Sequence, residues 1–115
     1  MPIIPDSPTL SDLQKYQDDL CKERGWDTAS DLETWLLFSE EIGELAKAIR
    51  NHRKLYQEAG KSQKPSELAG EFADVLSYLM ELANRMDINL EQAYRDKEAK
   101  NAAREWNNGS DAPND

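Results

Sequence analysis

Two stretches of the chain carry acids at helical spacing: Glu40, Glu41 and Glu44 in SEEIGEL (39–45), and Glu71 and Asp74 in GEFAD (70–74). Carboxylates three or four residues apart project from one face of a helix. With about 100° per residue and Glu41 as zero, Leu37 and Ala48 lie about 40° and 20° to one side, and Leu45 and Phe38 about 40° and 60° to the other. Glu41 thus falls inside an apolar stripe, Glu44 at its margin and Glu40 just outside it. The second stretch repeats the arrangement: Glu71 falls between Tyr78 and Leu82, with Asp74 one turn along. Ionised carboxylates in a packed interior cost several kcal/mol each unless compensated, and neither stripe contains a cation. A hard divalent ion compensates, because Mg²⁺ and Mn²⁺ take oxygen ligands and share them with waters and phosphates. Acid pairs also decorate solvated helices, and inward acids also meet basic residues of a partner. Two pairs on consecutive apolar stripes are what make the metal reading worth pursuing.

A complementary set lies further along. Tyr94, Lys97, Asn101 and Arg104 recur at spacings of 3, 4 and 3, one turn after Leu90, and share a face. Lys97 and Arg104 suit a site where anionic oxygens arrive, Lys as a point charge and Arg as a two-pronged donor; alternatively both snorkel past apolar groups to water. Other chemistries lack their residues. Di-iron bundles use Glu-x-x-His pairs, and the single histidine, His52, follows no glutamate by three. Cys21 lies in an apolar stripe and reads as a small buried group.

These residues need helices to position them, and the punctuation supplies four. Prolines at 2, 5 and 8 make residues 1–9 an extended lead-in. A first helix runs from Leu10 to about Arg24 and stops at Gly25, with an inward stripe of Leu10, Leu13, Tyr16, Gln17, Leu20 and Cys21. Ser30 with Glu33 forms a capping box opening a second helix to about Asn51. A polar connection containing Gly60 and Pro65 follows, locally basic through His52, Arg53, Lys54, Lys61 and Lys64. Ser66 begins a third helix to about Met86, and Asn89 with Gln92 opens a fourth from Leu90 to about Glu105. Trp35 reads as packing on the flank of the second helix. Residues 107–115 read as a disordered tail. No alternating strand pattern survives, so the predicted fold class is all-α, one domain over residues 10–106.

Composition narrows the partners. The 115 residues carry 23 acids against 14 basic residues, a formal charge of -9. That balance argues against nucleic acid or an anionic membrane, whose phosphates need clustered cations. No run approaches the about 18 apolar residues of a membrane span, and MPIIPDSP is too short and polar-flanked to read as a signal peptide. The lone cysteine fits a reducing, cytoplasmic setting. With few large apolar groups in a chain of this size, self-association is expected.

The order E-E-x-x-E (Glu40, Glu41, Glu44), a spacer, then E-x-x-D (Glu71, Asp74) resembles the MazG nucleotide pyrophosphohydrolase pattern. The resemblance extends through ERGW (23–26), DVLSYL (74–79), ANRMDINLEQA (83–93) and the Lys97, Asn101, Arg104 face, covering residues 10 to 106. It is nearest to the small members similar to dCTP pyrophosphatases. The resemblance implies an all-α NTP pyrophosphatase fold, assembled as a homodimer or homotetramer, that cleaves nucleoside triphosphates to monophosphate and pyrophosphate in nucleotide-pool housecleaning. It implies Mg²⁺, with Mn²⁺ as substitute, on Glu41, Glu44, Glu71 and Asp74. Substrate would meet Lys97, Asn101 and Arg104 at phosphate or sugar, and Trp26 and Tyr78 near the base. Glu40 or Glu41 would take the proton of the attacking water. Gln17 and Asn51 depart from the dCTP-specific relatives, which carry a histidine and a tryptophan there. The rival reading is a helical interaction or nucleotide-binding regulatory module without catalysis.

Overall fold

The computed structural model describes residues 1–56 and 64–104. The expected C-terminal tail, Gly60 and Lys61 lie outside these residues. Among the described residues four helices make up the fold: α1 (Leu10–Glu23), α2 (Asp31–His52), α3 (Pro65–Arg85) and α4 (Leu90–Ala103), with a 3-10 turn (Trp26–Thr28) between α1 and α2. There is no strand among the described residues. The all-α expectation holds, and the ends shift by a residue or two. Pro65 is the first residue of α3 rather than its lead-in, because its missing N–H is one that no helix start uses.

Each start has its local cause. Thr9 caps α1 in a reciprocal box with Asp12, each side chain bonding the other's backbone N–H at 3.0–3.1 Å. Ser30 and Glu33 do the same for α2. The Asn89 side chain accepts from the Gln92 N–H at 3.0 Å to open α4. α1 ends because Gly25 takes φ +71°, which a side chain would resist.

α2 and α3 form the main packed pair and run antiparallel. Arg85 at the end of α3 donates to the Ala29 carbonyl at 2.6 Å, at the entrance to α2, while Glu41 in mid-α2 meets Glu71 and Asp74 in the first half of α3. α1 lies on α3 and carries the root of α4. Gln14 makes that joint: its Nε2 donates to Asn84 Oδ1 (2.9 Å) and the Ile88 carbonyl (2.5 Å), and its Oε1 accepts from the Leu90 N–H (2.9 Å). Gln14 was absent from the expected α1 stripe, although it sits one turn from Leu10 and from Gln17. Leu10, Leu13 and Tyr16 are only half-buried.

The buried apolar core is small: Leu20, Cys21, Phe38, Ala48, Met80, Leu82 and Ala83. Trp35 is 51% exposed, leaning on Phe38 with ring centroids 5.8 Å apart, so it packs less fully than expected. Leu32 and Leu36 on α2, and Phe72 and Leu76 on α3, are exposed as well. Leu32 and Leu36 stand about 180° and 140° around α2 from Glu41, so one face of the hairpin carries carboxylates and another carries uncovered apolar groups. No helix among the described residues is long and apolar enough to cross a membrane.

Candidate active site

The antiparallel register brings Glu41, Glu71 and Asp74 together. One carboxylate oxygen from each lies within 4.8 Å of the others. Glu41 and Glu71 are half-buried and Asp74 is exposed, so the trio stands at the side of a cleft rather than in a sealed interior. That corrects the expectation of acids inside a packed core: Leu37 in the same stripe is 44% exposed. The stripes face a groove, because the small core does not fill the space between α1, α2 and α3.

The electrostatics still favour a cation. Burial pushes the Glu41 carboxyl above its ordinary value, and the charges of Asp74, Glu71, Glu40 and Glu44 push it further. Tyr78 is shifted up in turn, first by burial and then by Glu41. Carboxylates converging with no cation among them in the described residues fit a divalent ion. Glu44, one turn beyond Glu41, is exposed and stands outside the trio, and Glu40 is exposed beside it.

The cleft has a volume of about 800 Å³ and runs from the carboxylates along α2 and α3 toward α1. Glu41, Leu37 and Thr34 line it from α2, and Asp74, Tyr78 and Glu81 from α3. Trp26 closes one side from the 3-10 turn. It is 51% exposed, with the Arg24 guanidinium 4.8 Å from its ring centroid. The structure therefore puts the two expected base-side aromatics, Trp26 and Tyr78, on the same cleft as Glu41 and Asp74.

Lys97, Asn101 and Arg104 are not among the residues lining that cleft. α4 is tied to α1 at its root, through Ser11, Gln14, Asn89 and Glu91, and residues 92–100 are exposed. Asn101 is half-buried, and its Oδ1 has no hydrogen-bond partner among the described residues. His52 ends α2 in an exposed position.

Among the lining residues that the sequence did not mark as site residues, Glu81 and Gln17 carry polar groups into the cleft. Glu81 lies seven residues after Asp74, the spacing that returns a helix to the same face. Gln17 was assigned to the α1 stripe, and it reaches the cleft at 8% exposure. Gln17 donates to the buried Cys21 Sγ at 3.5 Å, and that thiol is pushed up first by burial and then by the Glu81 charge.

A family model described as the MazG nucleotide pyrophosphohydrolase domain matches residues 29–107. The chain belongs to the MazG nucleotide pyrophosphohydrolase family. It is similar to the uncharacterized protein YvdC of Bacillus subtilis (strain 168), with 27% identity over 96 residues covering 79% of this chain and 91% of the relative. Among solved structures it is similar to the putative pyrophosphatase YPJD from Bacillus subtilis. That likeness has a TM-score of 0.70 at 30% identity and covers 84% of this chain and 97% of the other.

Proposed function

We propose that the protein hydrolyses nucleoside or deoxynucleoside triphosphates between the α and β phosphates, releasing the monophosphate and pyrophosphate as a nucleotide-pool housecleaning activity in the cytoplasm. The observation that carries this reading is the carboxylate trio within 4.8 Å at the side of an aromatic-walled cleft. Glu41, Glu71 and Asp74 would hold Mg²⁺, with Mn²⁺ as an alternative and Glu44 as the fourth member of the set. The ion would supply charge neutralisation at the phosphates.

The chain's own groups do the rest. Glu41 is the better-placed proton acceptor of the two adjacent glutamates, because it alone lines the cleft. Trp26 and Tyr78 provide flat surfaces for the base, as aromatic side chains do for nucleobases generally. Lys97, Asn101 and Arg104 bind phosphate or sugar in the assembled protein. The exposed apolar residues Leu32 and Leu36 on α2 and Phe72 and Leu76 on α3 support a homodimer or homotetramer, since large apolar groups left uncovered on a small domain suit an interaction surface.

The test is pyrophosphate release from a panel of triphosphates with and without Mg²⁺, in the native chain and in Glu41→Gln and Glu71→Gln. Loss of Mg²⁺-dependent release in both variants is expected. Undiminished turnover would remove the trio from the reaction, and Mg²⁺-independent thermal stability with no turnover would favour a binding module instead.

A further inference from the structure

The end of the cleft away from Glu71 has a chemistry of its own. Asp74, Tyr78 and Glu81 follow one another along a single face of α3, so Glu81 stands about 10 Å beyond Asp74 along the helix axis. That distance is comparable to the reach of a nucleoside from its α-phosphate to the far edge of its base. Across the groove the antiparallel register puts Thr34 at the level of Glu81, and α1 brings in Gln17.

This end is polar, buried and held in place. The Glu81 side chain is 12% exposed, and the Arg85 Nη2 lies 3.6 Å from its Oε1. Arg85 is anchored by the Ala29 carbonyl at 2.6 Å and by Asp31 at 3.4 Å. Gln17 is 8% exposed; its Nε2 donates to Cys21 Sγ at 3.5 Å, leaving one N–H of that amide uncommitted. The Glu81 charge also acts on Cys21, so an amide donor and a carboxylate acceptor share the neighbourhood of one buried thiol.

An ionised carboxylate offers acceptors only. A base that presents two adjacent N–H groups satisfies it twice, and a base that turns a carbonyl toward it leaves buried oxygens facing each other. Resting on the proposed triphosphate hydrolysis, we propose that Glu81 reads the base and, with Gln17, selects one carrying an exocyclic amino group beside a ring N–H. Guanine has that edge: its N1–H and 2-amino group donate to Glu81, and its O6 accepts from the spare N–H of Gln17. Thymine and uracil flank a single N–H with two carbonyls and fit poorly.

The decisive comparison is dGTP against dITP, which differ only by the 2-amino group. In the native chain kcat/KM for dGTP is expected to exceed that for dITP by about tenfold or more, the scale of one hydrogen bond to a charged group. Glu81→Gln is expected to collapse that ratio while retaining helicity by circular dichroism. Equal values for dGTP and dITP in the native chain overturn the proposal whatever the variant does. An unchanged ratio in a folded Glu81→Gln overturns it as well. Calorimetric titration of the native chain with both nucleotides separates this from the catalytic reading. Preferential dGTP binding without any turnover would keep the base assignment and sink the hydrolysis, whereas turnover without preference would do the reverse.

Discussion

The carboxylate trio and the α4 face began as the same kind of pattern, polar residues repeating at helical spacing, and the fold treats them differently. Glu41, Glu71 and Asp74 converge because two long helices pack antiparallel along much of their length. Lys97, Asn101 and Arg104 belong to α4 and its C-terminal cap, an element tied to α1 at its root, and none of them lines the cleft. Periodicity says which residues share a face. What meets that face is decided by the partner helix, and residues 92–100 of α4 stand exposed within one copy.

The strongest way to break this contrast is to neutralise the trio. Glu41→Gln or Glu71→Gln is expected to lower Mg²⁺-dependent kcat/KM on the order of 100-fold or more, as loss of a charge-stabilising group at a phosphoryl centre does. Glu41→Gln should at the same time raise the thermal stability of the metal-free protein at neutral pH. The sign follows from its raised pKa: the contribution of Glu41 to stability is present below the ordinary carboxylate range and is lost as pH rises through the raised value. Mg²⁺ acts oppositely, since protons compete with it for the carboxylate. The Mg²⁺-induced increase in Tm should therefore be small in acid and grow as pH rises through that value. A Tm gain independent of pH would show the ion bound elsewhere.

The root of α4 offers the next largest effect. Gln14→Leu removes three hydrogen bonds and leaves the Leu90 N–H and Asn84 Oδ1 short of partners. A cost of about 2 kcal/mol in denaturant unfolding is expected for polar groups stranded in this way. A smaller effect on kcat/KM than on stability would keep α4 outside the chemistry. Arg104→Ala sharpens the same point, with KM for triphosphate expected to rise about tenfold and kcat to stay nearly unchanged, the loss of one charged contact to substrate.

How much was legible follows from where the determinants lie. The helix starts were readable because Ser30–Glu33 and Asn89–Gln92 are local devices. Glu41, Glu71 and Asp74 were readable as a set because a carboxylate in an apolar stripe is anomalous whatever packs against it. Glu81 lies seven residues after Asp74 on the same face of α3, but a single further acid beside the i,i+4 Arg85 is no anomaly in sequence, and only the cleft shows that it belongs to the site. Gln14 and the true exposure of the stripes were not readable. Both depend on how α1 lies against α3, and nothing in either helix alone states that.

Glu44 gives the smallest expected effect and tests the boundary of the trio. The sequence places it one turn from Glu41 and at the margin of the same stripe, so spacing alone ranks it with the ligands; the fold leaves it exposed and outside the 4.8 Å group. Its charge nevertheless contributes to raising the Glu41 carboxyl. Glu44→Gln should therefore weaken Mg²⁺ dependence by less than about tenfold, at or below the lower end of what loss of an outer partner costs a metal site. The measurement is the Mg²⁺ concentration for half-maximal pyrophosphate release. A loss as large as that of Glu41→Gln would mean that the Glu44 side chain swings inward when the ion binds, and the contrast between a converged trio and a solvated neighbour would give way to four equal ligands.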